Sequence, residues 1–335
     1  MSVVETLTEG EIVISTRALT RDFVVSRTET VHAVRGISLH VEPGELVAVL
    51  GPNGAGKTTT LRMLTTLITP TSGTATVAGF DVTTQPSQVR RRIGYVGQGN
   101  GAGHSQRVGD ELVGQGVIYG LDRRTAKLRA GELLEALELK DLAQRKVSDL
   151  SGGQRRRLDV AMGLVHAPSL LFLDEPSTGL DPQNRANLWD HILRMREQYA
   201  MTIVLTTHYL DEADSMAERV VVVDHGEVIA DDTADGLKAT LAGDRLAVTV
   251  APGNITRLSE LAGKLPGARE VIAVGDEVSV RVADGPAALP ELVAAAQRGG
   301  VPIAAAQVHR PTLDDVFLNL TGRSLREDSN GKAAR

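Results

Sequence analysis

The sequence predicts an α/β fold followed by a smaller α+β domain. Leu46–Leu50 and Leu170–Leu173 are apolar at every position, which is typical of central parallel strands buried on both faces. A glycine-rich turn and then a helical pattern follow the first of these runs. From Gly243 onward the patterns follow the order β-α-β-β-α-β, which is that of a ferredoxin-like unit. We therefore expect a mixed sheet core first and a small ferredoxin-like domain after it.

Composition limits the classes of protein that the chain can belong to. Its 335 residues, 42% of them hydrophobic, favour two domains with real cores. The net charge of -6 gives no electrostatic footprint for nucleic acid, so no nucleic-acid partner is expected. The absence of cysteine excludes disulfides and thiolate metal sites. Residues 1–10 lack the pattern of a signal peptide, and no apolar run approaches the roughly 18 residues of a membrane helix. Work at a membrane would need a partner to hold the chain there.

The glycine-rich turn, residues 51–58, has the spacing G-x-x-x-x-G-K-[ST] of a phosphate-binding loop. Glycines allow backbone N–H groups to surround the α and β phosphates, Lys57 can reach the β and γ phosphates, and Thr58 can ligate magnesium. The helix that starts here adds about half a positive charge at its N-terminus. A glycine turn with a chance Gly-Lys-Thr is the alternative, and the flanking strand and helix argue against it. The residues expected to contact the nucleotide are Gly51, Pro52, Asn53, Gly54, Ala55, Gly56, Lys57, Thr58 and Thr59.

Short β-type runs separated by polar segments occupy residues 12–41, before this loop. Phe23 stands out there because aromatic residues are only 3% of the chain and because it lies in a loop-like stretch. Its ring can stack on a purine, which is worth about 1 to 3 kcal/mol, or it can pack in the core. The sequence leaves both interpretations open. After the loop, residues 73–82 are expected to form a hairpin around Ala78–Gly79.

Gln98 follows a strand pattern at residues 93–96 and precedes a flexible glycine-rich run, residues 99–103. A neutral amide in this position can reach a γ phosphate and its metal, and it can move. A solvated loop glutamine is the alternative. The region from 108 to 142 is then expected to be mostly helical.

The segment Leu150–Gln154 precedes a second helix with apolar residues at helical spacing. Ser151 is expected to cap that helix, and Gly152 and Gly153 expose backbone N–H groups, so this is a second anion-binding helix start. Because the first loop already surrounds its nucleotide, a second set of donors makes sense if it meets the γ phosphate from another subunit. There are two alternatives: the glycines can form a plain turn, and the arginines at 155–157 can lie on a solvated helix face.

Two carboxylates, Asp174 and Glu175, end the second buried apolar run. Ligands in open α/β sheets bind at the carboxyl ends of strands, and two carboxylates there are hard to explain as core packing. Asp174 suits magnesium through a water, and Glu175 suits polarisation of an attacking water.

A further strand pattern, residues 202–207, ends on His208. A single histidine is usually structural, but this one ends its strand as Gln98 and Asp174 end theirs, and such convergence favours function. Asp181 lies in the turn that precedes the next helix, and residues 220–230 are expected to form a final hairpin.

The order of these motifs resembles the nucleotide-binding subunit of an ATP-binding cassette (ABC) transporter, over residues 5–240. The resemblance implies a P-loop NTPase cassette with a mixed sheet core, an antiparallel β subdomain and a helical subdomain. It implies ATP and Mg²⁺ as cofactors, and a head-to-tail pair of cassettes in which Ser151 and Gly153 of one contact the γ phosphate held by Lys57 of the other. The matches are Walker A at Gly51–Thr58, the Q-loop at Gln98, the signature motif at Leu150–Gln154, Walker B with the catalytic glutamate at Leu170–Glu175, the D-loop at Asp181, the switch histidine at His208 and the adenine-stacking aromatic at Phe23.

The resemblance also assigns roles to these residues. It implies that Thr58, Gln98 and Asp174 hold the metal. Catalytic roles fall on Lys57, Gln98, Glu175 and His208, and nucleotide contacts fall on Phe23, on the phosphate loop, on Ser151, Gly152, Gly153 and Gln154, and on Asp181.

A narrower resemblance rests on Arg156–Asp159 and on Arg310–Leu318. Both segments are similar to the ATPase subunits of daunorubicin-resistance-type drug exporters, which pair with a separate permease. This implies an exporter subunit at the cytoplasmic face of a membrane, and a drug, antibiotic or lipid-like substrate. The glycine-rich run 99–103 is longer than the usual segment after the Q-loop glutamine in that family.

The predicted domains are residues 1–242 for the ATP-binding domain, 243–322 for the β-α-β-β-α-β accessory domain and 323–335 for a disordered tail. In the accessory domain Thr312 is expected to cap a last helix together with Asp315. No catalytic constellation is found there. A structural or dimerising appendage is favoured over a ligand sensor.

Two other classes of ATPase carry similar motifs. Chromosome-maintenance ATPases need long coiled-coil arms between the phosphate loop and the signature motif, and the segment from Lys57 to Ser151 has neither the length nor the heptads. Translation-factor ATPases normally carry two cassettes in one chain, and this sequence has one phosphate loop. An exporter ATPase is therefore the favoured interpretation.

Overall fold

The computed structural model describes residues 13–251 and 253–322. The chain divides into two units between Ala230 and Asp231. The strands are β1 (Ile14–Val24), β2 (Thr30–Ile37), β3 (His40–Val41), β4 (Leu46–Leu50), β5 (Ser72–Val77), β6 (Phe80–Asp81), β7 (Ile93–Val96), β8 (Leu170–Asp174), β9 (Thr202–Thr207), β10 (Arg219–Asp224), β11 (Glu227–Asp232), β12 (Asp244–Val250), β13 (Arg269–Val274), β14 (Glu277–Val282) and β15 (Ile303–His309). The α-helices are α1 (Lys57–Leu64), α2 (Pro86–Arg92), α3 (Val108–Ile118), α4 (Arg123–Ala136), α5 (Gly152–Leu164), α6 (Pro182–Tyr199), α7 (Leu210–Met216), α8 (Ala234–Leu237), α9 (Ile255–Ala262), α10 (Gly285–Arg298) and α11 (Leu313–Thr321).

The first unit is built on a six-stranded sheet with the order β11-β10-β4-β9-β8-β7. The neighbours from β10 to β7 pair in parallel. Every residue of β4 and of β8 is buried, which confirms the expectation from their apolar sequences. Because parallel strands end on the same edge, the loops after β4, β7, β8 and β9 meet there.

A second, antiparallel sheet with the order β2-β1-β5-β6 completes the β part of this unit, with β3 pairing with β1. The sequence pattern placed Phe23 in a loop, but β1 extends to Val24 and Phe23 pairs with Val31 of β2. The polar residues of both strands hid this hairpin, because only one face of it is covered and a clear apolar run is missing. Residues 11 and 12, predicted as the start of a strand, lie outside the described residues.

Helices α3, α4 and α5 pack together and form the helical part of the first unit. Helix α5 begins after Ser151, whose side chain accepts a hydrogen bond from the N–H of Gln154, while the Gln154 side chain accepts one from the N–H of Ser151. This reciprocal capping box is the expected helix start.

The second unit contains a four-stranded antiparallel sheet with the order β13-β14-β12-β15. Helices α9 and α10 pack on one face of it and share a core with Leu246, Val248 and Val280. This is the β-α-β-β-α-β arrangement that the sequence predicted. The capping box of Thr312 and Asp315 at the start of α11 is also present.

The division between the units lies earlier than the predicted boundary at Gly243. Helix α11 packs against α8 and against the single π-helical turn at Lys238–Ala242, so the segment after Asp231 belongs with the second unit. The predicted disordered tail, residues 323–335, lies outside the described residues. Across 13–251 and 253–322, no helix combines the length and the apolar character needed to span a membrane.

Candidate active site

The loop between β4 and α1 holds Lys57 in a buried position. Its Nζ donates hydrogen bonds to the carbonyl oxygens of Gly51, at 2.6 Å, and of Pro52, at 3.0 Å. Two of the loop's glycines show why the backbone needs this residue. A Cβ on Gly51 would overlap the carbonyl oxygen of Val223, and Gly56 has a φ of 103°, which side chains disfavour. These constraints explain the local sequence of the loop.

Thr58 links the loop to the end of β8 and to Gln98. Thr58 Oγ1 donates to Asp174 Oδ1 at 2.9 Å and accepts from Gln98 Nε2 at 3.1 Å. Thr206, at the end of β9, donates from Oγ1 to the same Asp174 Oδ1 at 2.7 Å. The predicted site residues Thr58, Gln98 and Asp174 thus belong to one hydrogen-bonded group, although 116 positions separate Thr58 from Asp174.

The donor set around Asp174 fits a magnesium ion. Asp174 is fully buried, and its Oδ2 has no hydrogen-bond partner among the described residues. An unpaired buried carboxylate oxygen is costly unless a cation neutralises it. Magnesium is commonly held by one or two carboxylates together with a hydroxyl and substrate phosphates. Such a site needs no cluster of three acids or histidines, and none is found among the described residues.

Glu175 lies between two potential cations. Its Oε1 is 3.8 Å from Lys57 Nζ, and its Oε2 is 3.3 Å from His208 Nδ1, a contact that lacks hydrogen-bond geometry. Burial raises the pKa of Glu175, but His208, Lys57 and a hydrogen bond from Thr178 together outweigh burial and hold the pKa below its usual value. For Lys57, burial dominates and lowers the pKa in spite of Glu175 and Asp174. An ionised carboxylate in this position can accept a proton from water.

The backbone of Glu175 is strained, with a φ of 48° in the left-handed region. Its N–H is tied to the Thr206 side chain at 3.1 Å and to the Thr206 carbonyl at 3.1 Å. Strain of this kind costs about 1 to 3 kcal/mol and is concentrated at functional sites. Here it aims the carboxylate toward Lys57 and His208.

Arg156 is a supporting residue that the sequence analysis missed. The solvated helix face that was the alternative for residues 155–157 does not hold for Arg156, which is buried. Arg156 donates hydrogen bonds to the carbonyl oxygens of Pro176 at 2.5 Å and Gly97 at 2.6 Å, with longer bonds to those of Asp174 and Glu175. It therefore joins the segment before Gln98 to the segment after β8. The available signal was its spacing from Asp159, Val160 and Gly163, which share the buried face of α5.

Glu212 is a second residue that the sequence did not reveal. Its buried carboxylate accepts hydrogen bonds from Ser177, a short one, and from Thr207 at 2.9 Å. It thus joins the turn after Glu175 to the residue before His208. The ring of Tyr209 then lies against His208, with centroids 4.3 Å apart.

The remaining predicted residues are not joined to this group. Among the described residues, no hydrogen bond or ion pair connects Ser151–Gln154 with the phosphate loop. Asp181 caps α6 through the N–H of Asn184. Phe23 is 37% exposed, and the Arg21 guanidinium lies 4.6 Å from the centre of its ring. Phe23 thus keeps exposed ring surface, while Ser151–Gln154 form a separate, capped helix start.

The β4 strand, the glycine loop and the α1 helix hold a buried lysine next to a buried aspartate and to a glutamate whose pKa is lowered. This arrangement defines a phosphate-loop nucleoside triphosphatase. The family model for ABC transporters matches residues 34–178, and the model for the C-terminal domain of DrrA1-3-like ATP-binding proteins matches residues 233–321. The chain belongs to the ABC transporter ATP-binding family with a DrrA-type C-terminal domain. It is an ATPase whose hydrolysis is coupled to transport, as the sequence predicted.

Relatives cover nearly the whole chain. The daunorubicin resistance ATP-binding protein DrrA2 of Streptomyces coeruleorubidus is 43% identical over 304 residues, which are 90% of this chain and 94% of that protein. The daunorubicin/doxorubicin resistance ATP-binding protein DrrA of Streptomyces peucetius is 40% identical over 95% of this chain and 97% of that protein.

Solved structures share the fold of the first part of the chain. The cbiO1 subunit from Clostridium perfringens, part of the ABC transporter complex cbiONQ, superposes with a TM-score of 0.62 and 26% identity, over 69% of this chain and 92% of that chain. The cassette MJ0796 in a dimeric post-hydrolysis state with ADP and Pi has a TM-score of 0.61 at 24% identity, over 66% of this chain and 98% of that chain. The predicted cassette fold is confirmed.

Proposed function

We propose that the chain drives export of a hydrophobic, drug-like or lipid-like molecule through a separate membrane permease, as one of two cassettes that pair head to tail. The observation that carries the pairing is that, among the described residues, no hydrogen bond or ion pair joins the helix start at Ser151 to the phosphate loop that holds Lys57. A second copy would supply the missing donors. Relatives named for daunorubicin, doxorubicin and linearmycin resistance support export and the class of substrate.

In this proposal each residue of the site has one task. Lys57 and the loop N–H groups bind the phosphates, and Thr58, Asp174 and Gln98 hold Mg²⁺. The ion neutralises phosphate charge when it is bound. Glu175 accepts the proton of the attacking water, and His208, beside it at 3.3 Å, orients the carboxylate and the γ phosphate. Phe23 offers its exposed face to the adenine, and Ser151 and Gly153 of the second cassette close the site.

The proposed permease also determines where in the cell the chain works. A chain of this family works at a membrane, and we propose that the permease holds this one at the cytoplasmic face. The relatives support this, since they are named as ATP-binding proteins of daunorubicin resistance and of Nod factor export.

A reconstituted transporter tests the proposal. The chain is co-expressed with the permease of its transporter, purified and placed in proteoliposomes with daunorubicin outside. We expect ATP-dependent accumulation of the drug and an ATPase rate that rises when drug is added, with Glu175→Gln as the inactive control. If no permease copurifies, or if ATPase activity does not respond to any compound of a hydrophobic drug panel, the export proposal is wrong.

A further inference from the structure

The sheet of the second unit carries a row of four basic residues at one end. In the strand register, Arg269 of β13 lies opposite Arg281 of β14, Arg281 lies opposite Arg245 of β12, and Arg245 lies opposite His309 of β15. We call these four residues the basic row. Like charges directly opposite one another destabilise a sheet, so the row lowers the stability of this unit unless an anion joins it.

The basic row belongs to the face of the sheet that turns away from the core. Leu246, Val280 and Val282, the neighbours of the row along β12 and β14, are buried against α9 and α10. Side chains alternate along a strand, so Arg245 and Arg281 extend to the opposite face. Arg245, Arg269 and His309 are exposed and Arg281 is half-buried.

Acidic side chains neutralise only part of the row. Glu270 Oε2 accepts a hydrogen bond from Arg281 Nε at 2.6 Å. Within the described residues, Arg245, Arg269 and His309 make no hydrogen bond or ion pair through their side chains. The two guanidinium groups of Arg245 and Arg269, without an acidic partner among the described residues, leave positive charge on this edge of a chain whose total charge is -6.

Two adjoining cavities open on the basic row. One, of about 290 Å³, is lined by Arg245, Arg281, His309 and the next residue, Arg310. Asp315 also lines it, but its Oδ2 already accepts hydrogen bonds from the backbone N–H and the Oγ1 of Thr312.

The second cavity, of about 250 Å³, is lined by Arg269 and again by Arg281. Both cavities exceed several water volumes of about 30 Å³, which is enough for a phosphate group.

We propose that the basic row binds a phosphate-bearing anion, which is either the headgroup of an anionic phospholipid or a soluble phosphate compound. Guanidinium groups match phosphate oxygens in pairs, and a row of them spaced by the width of a strand can contact several oxygens at once. The site lies in the second unit and is distinct from the phosphate loop of the first. It gives the C-terminal unit a ligand-sensing role in place of a purely structural one.

The test uses the full-length purified chain without a permease, so its result is independent of the export proposal. One arm measures flotation with phosphatidylcholine vesicles with and without phosphatidylglycerol. The other arm measures pyrophosphate binding by calorimetry in a Lys57→Ala background, which weakens the phosphate loop. Arg245→Gln is the test variant. Arg257→Gln is the matched control, since it removes one exposed arginine from α9 of the same unit.

We expect one of the two probes to bind, about fivefold more weakly in Arg245→Gln because one basic residue near an anionic surface is worth about 1 kcal/mol. Arg257→Gln should bind as wild type does. Binding only to phosphatidylglycerol vesicles identifies a lipid headgroup, and binding of pyrophosphate identifies a soluble ligand. If neither probe binds, or if both variants lose affinity equally, the proposal is wrong. Should Arg245→Gln fail to fold, Arg269→Gln on the edge strand gives the same comparison.

Discussion

Nδ1 of His208 lies 3.3 Å from Oε2 of Glu175, across the ends of two neighbouring parallel strands. Lys57 approaches the other carboxylate oxygen of Glu175 at 3.8 Å. The glutamate is therefore held between two basic groups, and its pKa is below the usual value even though burial raises it. A base must be ionised to accept a proton, so this arrangement supports the role of general base that we propose for Glu175.

Glu175→Gln should bind MgATP and hydrolyse it at least about 100-fold more slowly than wild type, because general-base help is typically worth 10² to 10⁴. The amide keeps the shape of the side chain and removes only its basicity. Steady-state phosphate release and binding of a fluorescent ATP analogue measure the two effects. Glu227→Gln, an exposed glutamate on β11, is the matched control. A turnover within a fewfold of wild type would contradict the role of Glu175.

Asp159 should anchor the glycine-rich run 99–103 that follows Gln98. Asp159 is buried, and its Oδ1 accepts a hydrogen bond from the N–H of Gly101 at 2.9 Å. A hydrogen bond to a charged group is worth about 1.5 to 3 kcal/mol, so Asp159→Ala should speed amide exchange of Gly101 at least about tenfold. Asp159→Asn keeps an acceptor but not the charge, so its exchange should be intermediate between those of wild type and Asp159→Ala. Equal exchange in all three proteins would show that the run is held by other contacts.

The same residue predicts a pH dependence of stability. Burial raises the pKa of Asp159 above 3.8, against the opposing effects of Gly101, Arg156 and Ala102. The folded state therefore binds the proton more tightly than the unfolded state, and the stability linked to this group is present at low pH and lost as the pH rises through the raised pKa. Relative to Asp159→Asn, wild type should lose unfolding free energy as the pH rises above the ordinary pKa of 3.8 and through the raised pKa of the folded state. Urea unfolding of both proteins across this range measures the difference, and parallel curves would contradict it.

Much of the site could be predicted because each motif is local in the sequence. The phosphate loop follows a buried strand, and Gln98, Asp174 and His208 come at or just after strand ends, so the topology of a parallel sheet brings them together. Arg156 and Glu212 could not be found in this way. Their partners are backbone carbonyls and hydroxyls in distant segments. The helical spacing of Arg156 indicates the buried face of α5 but does not identify those partners, and Glu212 has no such signal.

The fold could also be predicted from local sequence patterns. Where the prediction differs from the structure, the difference has a physical cause. Apolar strands with full burial were recognised, whereas the hairpin of β1 and β2, with one covered face, was partly interpreted as loop. The boundary between the units was placed at Gly243 because the pattern changes there. The structure puts it after Ala230, since α8 packs against α11, which comes about 80 residues later in the chain.

Two variants with separate lesions test the head-to-tail pairing. Lys57→Ala removes a phosphate contact, and Ser151→Asp keeps a good N-cap while it places a negative charge where the γ phosphate of the other cassette would lie. Each should be inactive alone. In a mixed dimer both lesions fall in one composite site and leave the other intact. About half the dimers are mixed after random exchange, each with one good site of two, so roughly a quarter of wild-type ATPase activity should return. If no ATPase activity returns after subunit exchange has been verified, the site is built within one chain.

Truncation tests which segment completes the ATPase unit. Its core, from Val13 to Val223, lies entirely before the division of the chain. A chain ending at Asp232 keeps all of β11 and should fold as a monodisperse protein that binds ATP as the full chain does. A chain ending at Ala242 keeps α8 and the π-helical turn but loses α11, which packs on both, so it should expose apolar surface and aggregate more readily. Size-exclusion chromatography and nucleotide titration compare the two. If the chain ending at Asp232 is well folded but binds no nucleotide, the second unit contributes to the ATP site.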